Sequence, residues 1–159
     1  MAAQPILDFD AIDLSKTIVE KPQLYEVLKQ RGRFELLDGV LHHDIPGGLI
    51  VGYAEVKHGT WWAEDHIPGR PLYPGALMIE AGAQLASFDF AFRATENADQ
   101  FVGFGGLNNT RFRRVVEPDC RLILAAKSLR VRSRMFTYEV QAFVDRELAF
   151  HTEVIGVIV

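Results

Sequence analysis

The chain has 159 residues, 48% of them hydrophobic and 24% charged, with a formal net charge of −4. That is long enough for one domain with a real core and short for two. It has no apolar run of the roughly 20 residues a membrane helix needs and no basic start leading into an apolar block as in a secretory signal. Its one cysteine, Cys120, allows neither an internal disulfide nor a thiolate metal site; a cytoplasmic location is the expectation.

Residues 1–33 are mixed in character, and SKTIVEKPQLYEVLKQRG predicts one or two short helices, with Pro22 in a first turn and Gly32 as the stop. From residue 34 to 60 the pattern is that of strands. FELLDGVLHHD and LIVGYAEVKHG flank the turn signal Pro46-Gly47-Gly48 and are expected to pair antiparallel. In the C-terminal third, Phe136, Tyr138, Val140, Ala142 and Val144 alternate with Thr137, Glu139, Gln141 and Asp145, the period of a half-buried strand, with Phe143 as the exception. Leu129, Val131 and Ser133 alternate with Arg130, Arg132 and Arg134 in the same way, and VIGVIV closes the chain as a buried strand. Strands, one dominant helix and strands again make an α+β arrangement.

That helix is predicted from Gly75 to about Phe92, over GALMIEAGAQLASFDFAF, which contains no Pro after its start and no basic residue. It is apolar almost all the way round, as a helix enclosed by protein must be. Glu80, Gln84 and Ser87 nevertheless stand at i, i+4 and i+7, one polar stripe on a greasy rod. A carboxyl group in a dry cleft is a candidate general acid; the bland alternative is a structural pair or a subunit edge. Ahead of it, H-x-P-G-x-P restrains the backbone around His66 through Pro68, Pro71 and Pro74. The free N–H groups of the helix's first turn, beginning near Gly75, make a natural oxyanion site. Base, acid and oxyanion donor thus come from one short stretch.

HIPGRPLYPGALMIEAGAQ resembles the signature of the β-hydroxyacyl-acyl-carrier-protein dehydratases of fatty-acid synthesis, G-H-F-P-G-x-P-x-M-P-G-V-L-x-x-E-A-x-A-Q. His66, Pro68, Gly69, Pro71, Pro74, Gly75, Leu77, Glu80, Ala81, Ala83 and Gln84 fall on its fixed positions without a gap. FELLDGV and FVGFGGLNNTRFRRVVEPD are weaker echoes of the same family, so the resemblance spans about residues 34–159. It implies a hotdog fold over 34–159, a curled antiparallel sheet around one long helix, with 1–33 as an N-terminal helical extension. It further implies a homodimer, alone or as a trimer of dimers, in which the histidine of one subunit faces the acid of the other.

By that resemblance His66 removes the α-proton, Glu80 helps the β-hydroxyl leave as water, and the N–H of Gly75 holds the thioester carbonyl. Gln84 and Tyr73 fall beside the substrate. Acid–base work and a backbone dipole suffice for a β-elimination, so no metal or redox cofactor is expected. The partner is acyl carrier protein, which is strongly acidic. Arg111 to Arg134 holds eight of the seventeen cationic residues against two of the twenty-one acids, and Arg111, Arg113 and Arg114 are candidates for the docking surface. No nucleic-acid partner is expected. The chain departs from the pattern at Asp65 (commonly Gly), at Tyr73 (commonly Met) and at Lys29-Gln30-Arg31, where Pro-His-Arg is common. A hotdog thioesterase and a non-catalytic acyl-carrier-binding subunit are the alternative readings. His42-His43-Asp44 lacks a metal-site partner spacing and is expected to be solvent-exposed near its turn; GFGG at 103–106 does not have dinucleotide-binding spacing.

Overall fold

The computed structural model describes residues 3–94, 96 and 99–159. Among them the strands are β1 (Val19–Glu20), β2 (Gly39–Asp44), β3 (Leu49–Val56), β4 (Val102–Phe112), β5 (Cys120–Arg132), β6 (Met135–Val144) and β7 (Glu147–Ile158). The helices are α1 (Lys21–Val27), α2 (Trp61–Asp65) and α3 (Gly75–Arg93), with a 3-10 turn at Gly32–Phe34. All strand pairings are antiparallel, in the order β1-β2-β3-β5-β6-β7-β4, and the curled sheet packs against α3. β2 and β3 pair across the Pro46-Gly47-Gly48 turn as the sequence predicts.

Helix α3 is buried along most of its length because Leu77, Met78, Ala81, Leu85, Ala86 and Phe88 all face protein. Its small residues set how near the sheet comes. A Cβ on Gly82 would stand 2.5 Å from Val140 Cγ1, so the helix crosses β6 at a distance only glycine allows. Each fully buried Leu or Phe in this core contributes roughly 1.5–3 kcal/mol.

The sheet is covered on its other face too, and this the alternation alone did not reveal. Residues 6–14 lay Ile6, Leu7, Phe9, Ile12 and Leu14 over Val51, Ala125 and Phe143. Phe9 and Phe143 meet edge to face at 5.1 Å. Gln141, fully buried, donates from Nε2 to the Gln4 carbonyl (2.8 Å) and accepts the Ile6 N–H on Oε1 (2.9 Å). Phe143, the apparent exception in its strand, therefore has its own apolar partner.

Two other expectations are corrected. Gly32 does not stop the N-terminal helix: α1 ends at Val27, and Gly32, with φ of 63°, opens the 3-10 turn. Leu129 and Val131 are not on a buried face. They are 51% and 36% exposed, because β3 pairs with β5 only as far as Lys127 and the end of β5 beyond it has β6 as its one neighbour. Pro22 does stand in the first turn of α1.

Candidate active site

The loop from His66 to Pro74 is built by its prolines and glycine. Pro68 and Gly69 are the central residues of a turn closed by the Arg70 N–H on the Ile67 carbonyl (3.0 Å), and Gly69 takes the positive φ of 81° such a turn requires. Asp65 stands in the last turn of α2 and not in the left-handed region, so a glycine is not needed there. Among the described residues no ion pair joins Asp65 to His66.

His66 is exposed, and its Nδ1 lies 2.9 Å from the Leu72 carbonyl oxygen. That oxygen can only accept, so Nδ1 carries a proton, and in the neutral ring the lone pair is on Nε2. The loop thus holds the imidazole in the tautomer a general base needs.

Helix α3 starts at Gly75, after Pro74 in an extended conformation. A Cβ on Gly75 would fall 2.6 Å from the Phe112 ring, which is stacked on Phe150 with centroids 5.1 Å apart. Glycine lets the end of β4 close against the first turn, whose leading N–H groups have no partner within the helix. Tyr73, just ahead, is buried against Trp62, and its N–H donates to the Val116 carbonyl at 2.8 Å. Burial pushes its phenol well above the usual range.

One turn into α3, Glu80 meets a chain of hydrogen bonds running back to the N-terminal segment. The Leu37 N–H donates to the Tyr25 hydroxyl (3.0 Å), which donates to Gln84 Oε1 (2.7 Å). Gln84 Nε2 then donates to the Phe34 carbonyl and to Glu80 Oε1, each at 2.8 Å. Gln84 is 1% exposed and its amide is committed at both ends, so its orientation is fixed. Burial raises the Tyr25 phenol far above its ordinary range, which keeps it a donor. Glu80 Oε1 also lies 3.4 Å from Gln30 Nε2, while its second oxygen has no partner among the described residues.

Glu80 borders two cavities. One of about 380 Å³ runs between α3, at Ala83, Gln84 and Ser87, and the apolar wall of Phe104, Phe136, Val154 and Ile155. The other, of about 460 Å³, lies against the edge strand at Phe104, Gly105, Gly106 and Leu107. His66 lines neither. The three candidate docking arginines gather where β4 ends. Arg111 and Arg113 flank Phe112; Arg113 reaches His151 Nε2 at 3.1 Å, and Arg114 pairs with Glu147.

The family model described as a FabA-like domain matches residues 28–153. The chain belongs to the FabA-like family. The 3-hydroxyacyl-[acyl-carrier-protein] dehydratase FabZ of Albidiferax ferrireducens is 38% identical over 136 residues, covering 82% of this chain and 89% of that protein. The enzyme of the same name from Syntrophotalea carbinolica is 35% identical over 130 residues, covering 82% and 88%. Among solved structures, the dehydratase heterocomplex ApeI:P from Xenorhabdus doucetiae superposes with a TM-score of 0.73 at 14% identity, over 86% of this chain and 90% of that one. A thioesterase mutant from Pseudomonas aeruginosa gives 0.65 at 12% identity, over 92% and 99%. Those two likenesses establish the hotdog fold and, naming different activities, do not choose between them.

The FabA-like motif of the sequence leads to His66, Gly75, Glu80 and Gln84, and misses what surrounds them. Tyr25 carries no signature and Gln30 only a departure from the family's Pro-His-Arg; both precede the motif by tens of residues and reach Gln84 and Glu80 only through the fold. His42-His43-Asp44 is corrected as well: His43 is almost enclosed, with Nε2 donating to Asp89 Oδ1 at 2.7 Å. Arg93 Nε at 2.5 Å and the Tyr138 hydroxyl complete the shell of Asp89, which is fully buried. Burial works against that charge, yet these hydrogen bonds outweigh it and hold the carboxyl below the usual carboxylate range. The spacing of Asp89 and Arg93 at i, i+4 was the available signal.

Proposed function

We propose that this chain eliminates water from a 3-hydroxyacyl thioester carried on acyl carrier protein, giving the trans-2-enoyl thioester of fatty-acid synthesis. The observation that carries the reading is that one chain, whose relatives bear the dehydratase name, presents both a histidine held through Nδ1 to a carbonyl and a carboxyl group with one oxygen free beside an apolar cavity.

In this reading His66 Nε2 takes the α-proton, and the electron pair of the Cα–H bond forms the Cα=Cβ bond. The Cβ–O bond breaks, and Glu80, directly or through a held water, supplies the proton that lets the oxygen leave as water. The Gly75 N–H at the head of α3 faces the thioester carbonyl as it gains negative charge. Gln84 acts one step back, orienting Glu80, and Tyr73 shapes the approach from under the loop. The acyl chain takes the cavity between α3 and the sheet.

The site is read as shared between two protomers, the histidine of one facing the acid of the other. Its support is that His66 lies outside both cavities that Glu80 borders, while the edge strand leaves Phe104, Leu107 and Phe112 40–53% exposed for a second copy. In this reading the chain acts as a homodimer, alone or as a trimer of dimers. Arg111 and Arg113, beside the Phe112 that touches Gly75, suit an acidic carrier arriving at that entrance. Among the described residues no helix is long and apolar enough to cross a membrane; we assign the chain to the cytoplasm, where the carrier is used.

The test is mass spectrometry of a 3-hydroxyacyl-acyl carrier protein incubated with wild type, His66→Ala and Glu80→Gln. Loss of one water with wild type, absent in both variants, supports the reading. Free carrier thiol would mark a thioesterase instead, and an unchanged substrate over several chain lengths would leave a binding subunit.

A further inference from the structure

Among the described residues, Gln30 Oε1 is the one buried side-chain polar atom without a hydrogen-bond partner. Such atoms are rare in folded proteins and each calls for a reason. This one belongs to an amide whose other end, Nε2, is 3.4 Å from Glu80 Oε1, a long hydrogen bond. The same side chain lines the cavity of about 380 Å³ beside Glu80.

The two amides at Glu80 differ in freedom. Gln84 is locked: Tyr25 donates to its oxygen, and its N–H groups go to Phe34 and Glu80. It can offer Glu80 only a donor. Gln30 has no such lock. Half a turn about its last side-chain bond exchanges N–H for C=O at nearly the same place, and nothing holds its oxygen where it is. A carboxylate accepts hydrogen bonds and a carboxylic acid donates one, so a group that loses and regains a proton in each cycle needs opposite partners in its two states. Gln30 can supply both.

We infer that Gln30 is a positioning residue for Glu80, turning its amide to donate to the carboxylate and accept from the protonated acid. The proposal rests on the dehydratase reading. It makes the N-terminal segment, through residue 30, part of the site.

The test compares Gln30→Met, which keeps length without hydrogen bonding, with Gln30→His, whose neutral ring carries a donor and an acceptor. Both are assayed by water loss from 3-hydroxyacyl-acyl carrier protein. Gln30→Met is expected to lower kcat about tenfold with KM held within about twofold, and Gln30→His to recover most of the loss. A wild-type kcat in Gln30→Met, a loss confined to KM, or no recovery in Gln30→His would overturn the proposal. Thermal unfolding of Gln30→Met, Glu80→Gln and the double variant gives a readout independent of turnover. Non-additive Tm shifts support the coupling and additive shifts refute it. If wild type shows no water loss, the dehydratase reading fails while this cycle still decides whether Gln30 and Glu80 act together.

Discussion

Helix α3 carries two carboxylates, Glu80 and Asp89, both reached by polar side chains from distant parts of the chain, and their surroundings divide them. Asp89 is fully enclosed, and His43, Arg93 and Tyr138 occupy both its oxygens. Glu80 has donors on one oxygen only; the other is left facing a cavity with apolar walls. A saturated carboxylate is part of the scaffold, since any new partner must displace one already there. A half-satisfied one at a cavity is available for chemistry. The division follows from position: Asp89 points at β2 and β6 inside the sheet, whereas Glu80 points toward the edge strand.

Exchanging the roles of the two is the sharpest way to break the comparison. Glu80→Gln is expected to lower kcat about 10³-fold while leaving Tm within a few degrees, because an amide keeps the shape and most of the hydrogen bonding. Asp89→Ala should do the opposite, costing about 3 kcal/mol of stability by opening a buried charged network, with activity per folded molecule preserved. Dehydration assays alongside thermal melts read both; a large activity loss from Asp89→Ala in folded protein would erase the distinction.

Tyr25→Phe comes next in size. It removes the donor to Gln84 and the acceptor of the Leu37 N–H, so about tenfold in kcat and about 1–3 kcal/mol in stability are expected to go together. Stability lost with kcat intact would make Tyr25 a scaffold residue like Tyr138.

Acid separates the two carboxylates differently. The folded Asp89 carboxyl is held below its unfolded value of about 3.9, so its contribution is present above that value and lost as pH falls through the lower, folded one. Wild type should therefore lose Tm more steeply than Asp89→Asn below about pH 4. Parallel Tm curves from pH 3 to 7 would remove Asp89 from the acid response. The smallest effect is expected at the rim: Arg111→Ala or Arg113→Ala raises KM for the acyl carrier about two- to threefold, and added salt narrows the gap.

Much of the fold was legible because its signals are local. An unpunctuated apolar stretch with Gly and Ala reads as an enclosed helix, and prolines around His66 read as a rigid loop. Glu80 and Gln84 stood out as the polar stripe on that helix. What stayed hidden depends on contacts across the chain. His43 looks like a turn residue until α3 brings Asp89 to it. Phe143 breaks its strand's alternation only while the N-terminal cover is unknown. Gln30 showed in the sequence only as a departure from the family's Pro-His-Arg, and nothing in its type or spacing pointed to Glu80.

The clasp of Gln141 on Gln4 and Ile6 also sets an order of events in synthesis. Ile6 and Phe9 leave the ribosome early, but the residues they rest on arrive about 135 positions later. At roughly 5–20 residues per second that wait is on the order of ten seconds. During it the first segment has no surface to close on, so a nascent chain arrested before β6 should be cut by protease near Phe9, and a released one should not.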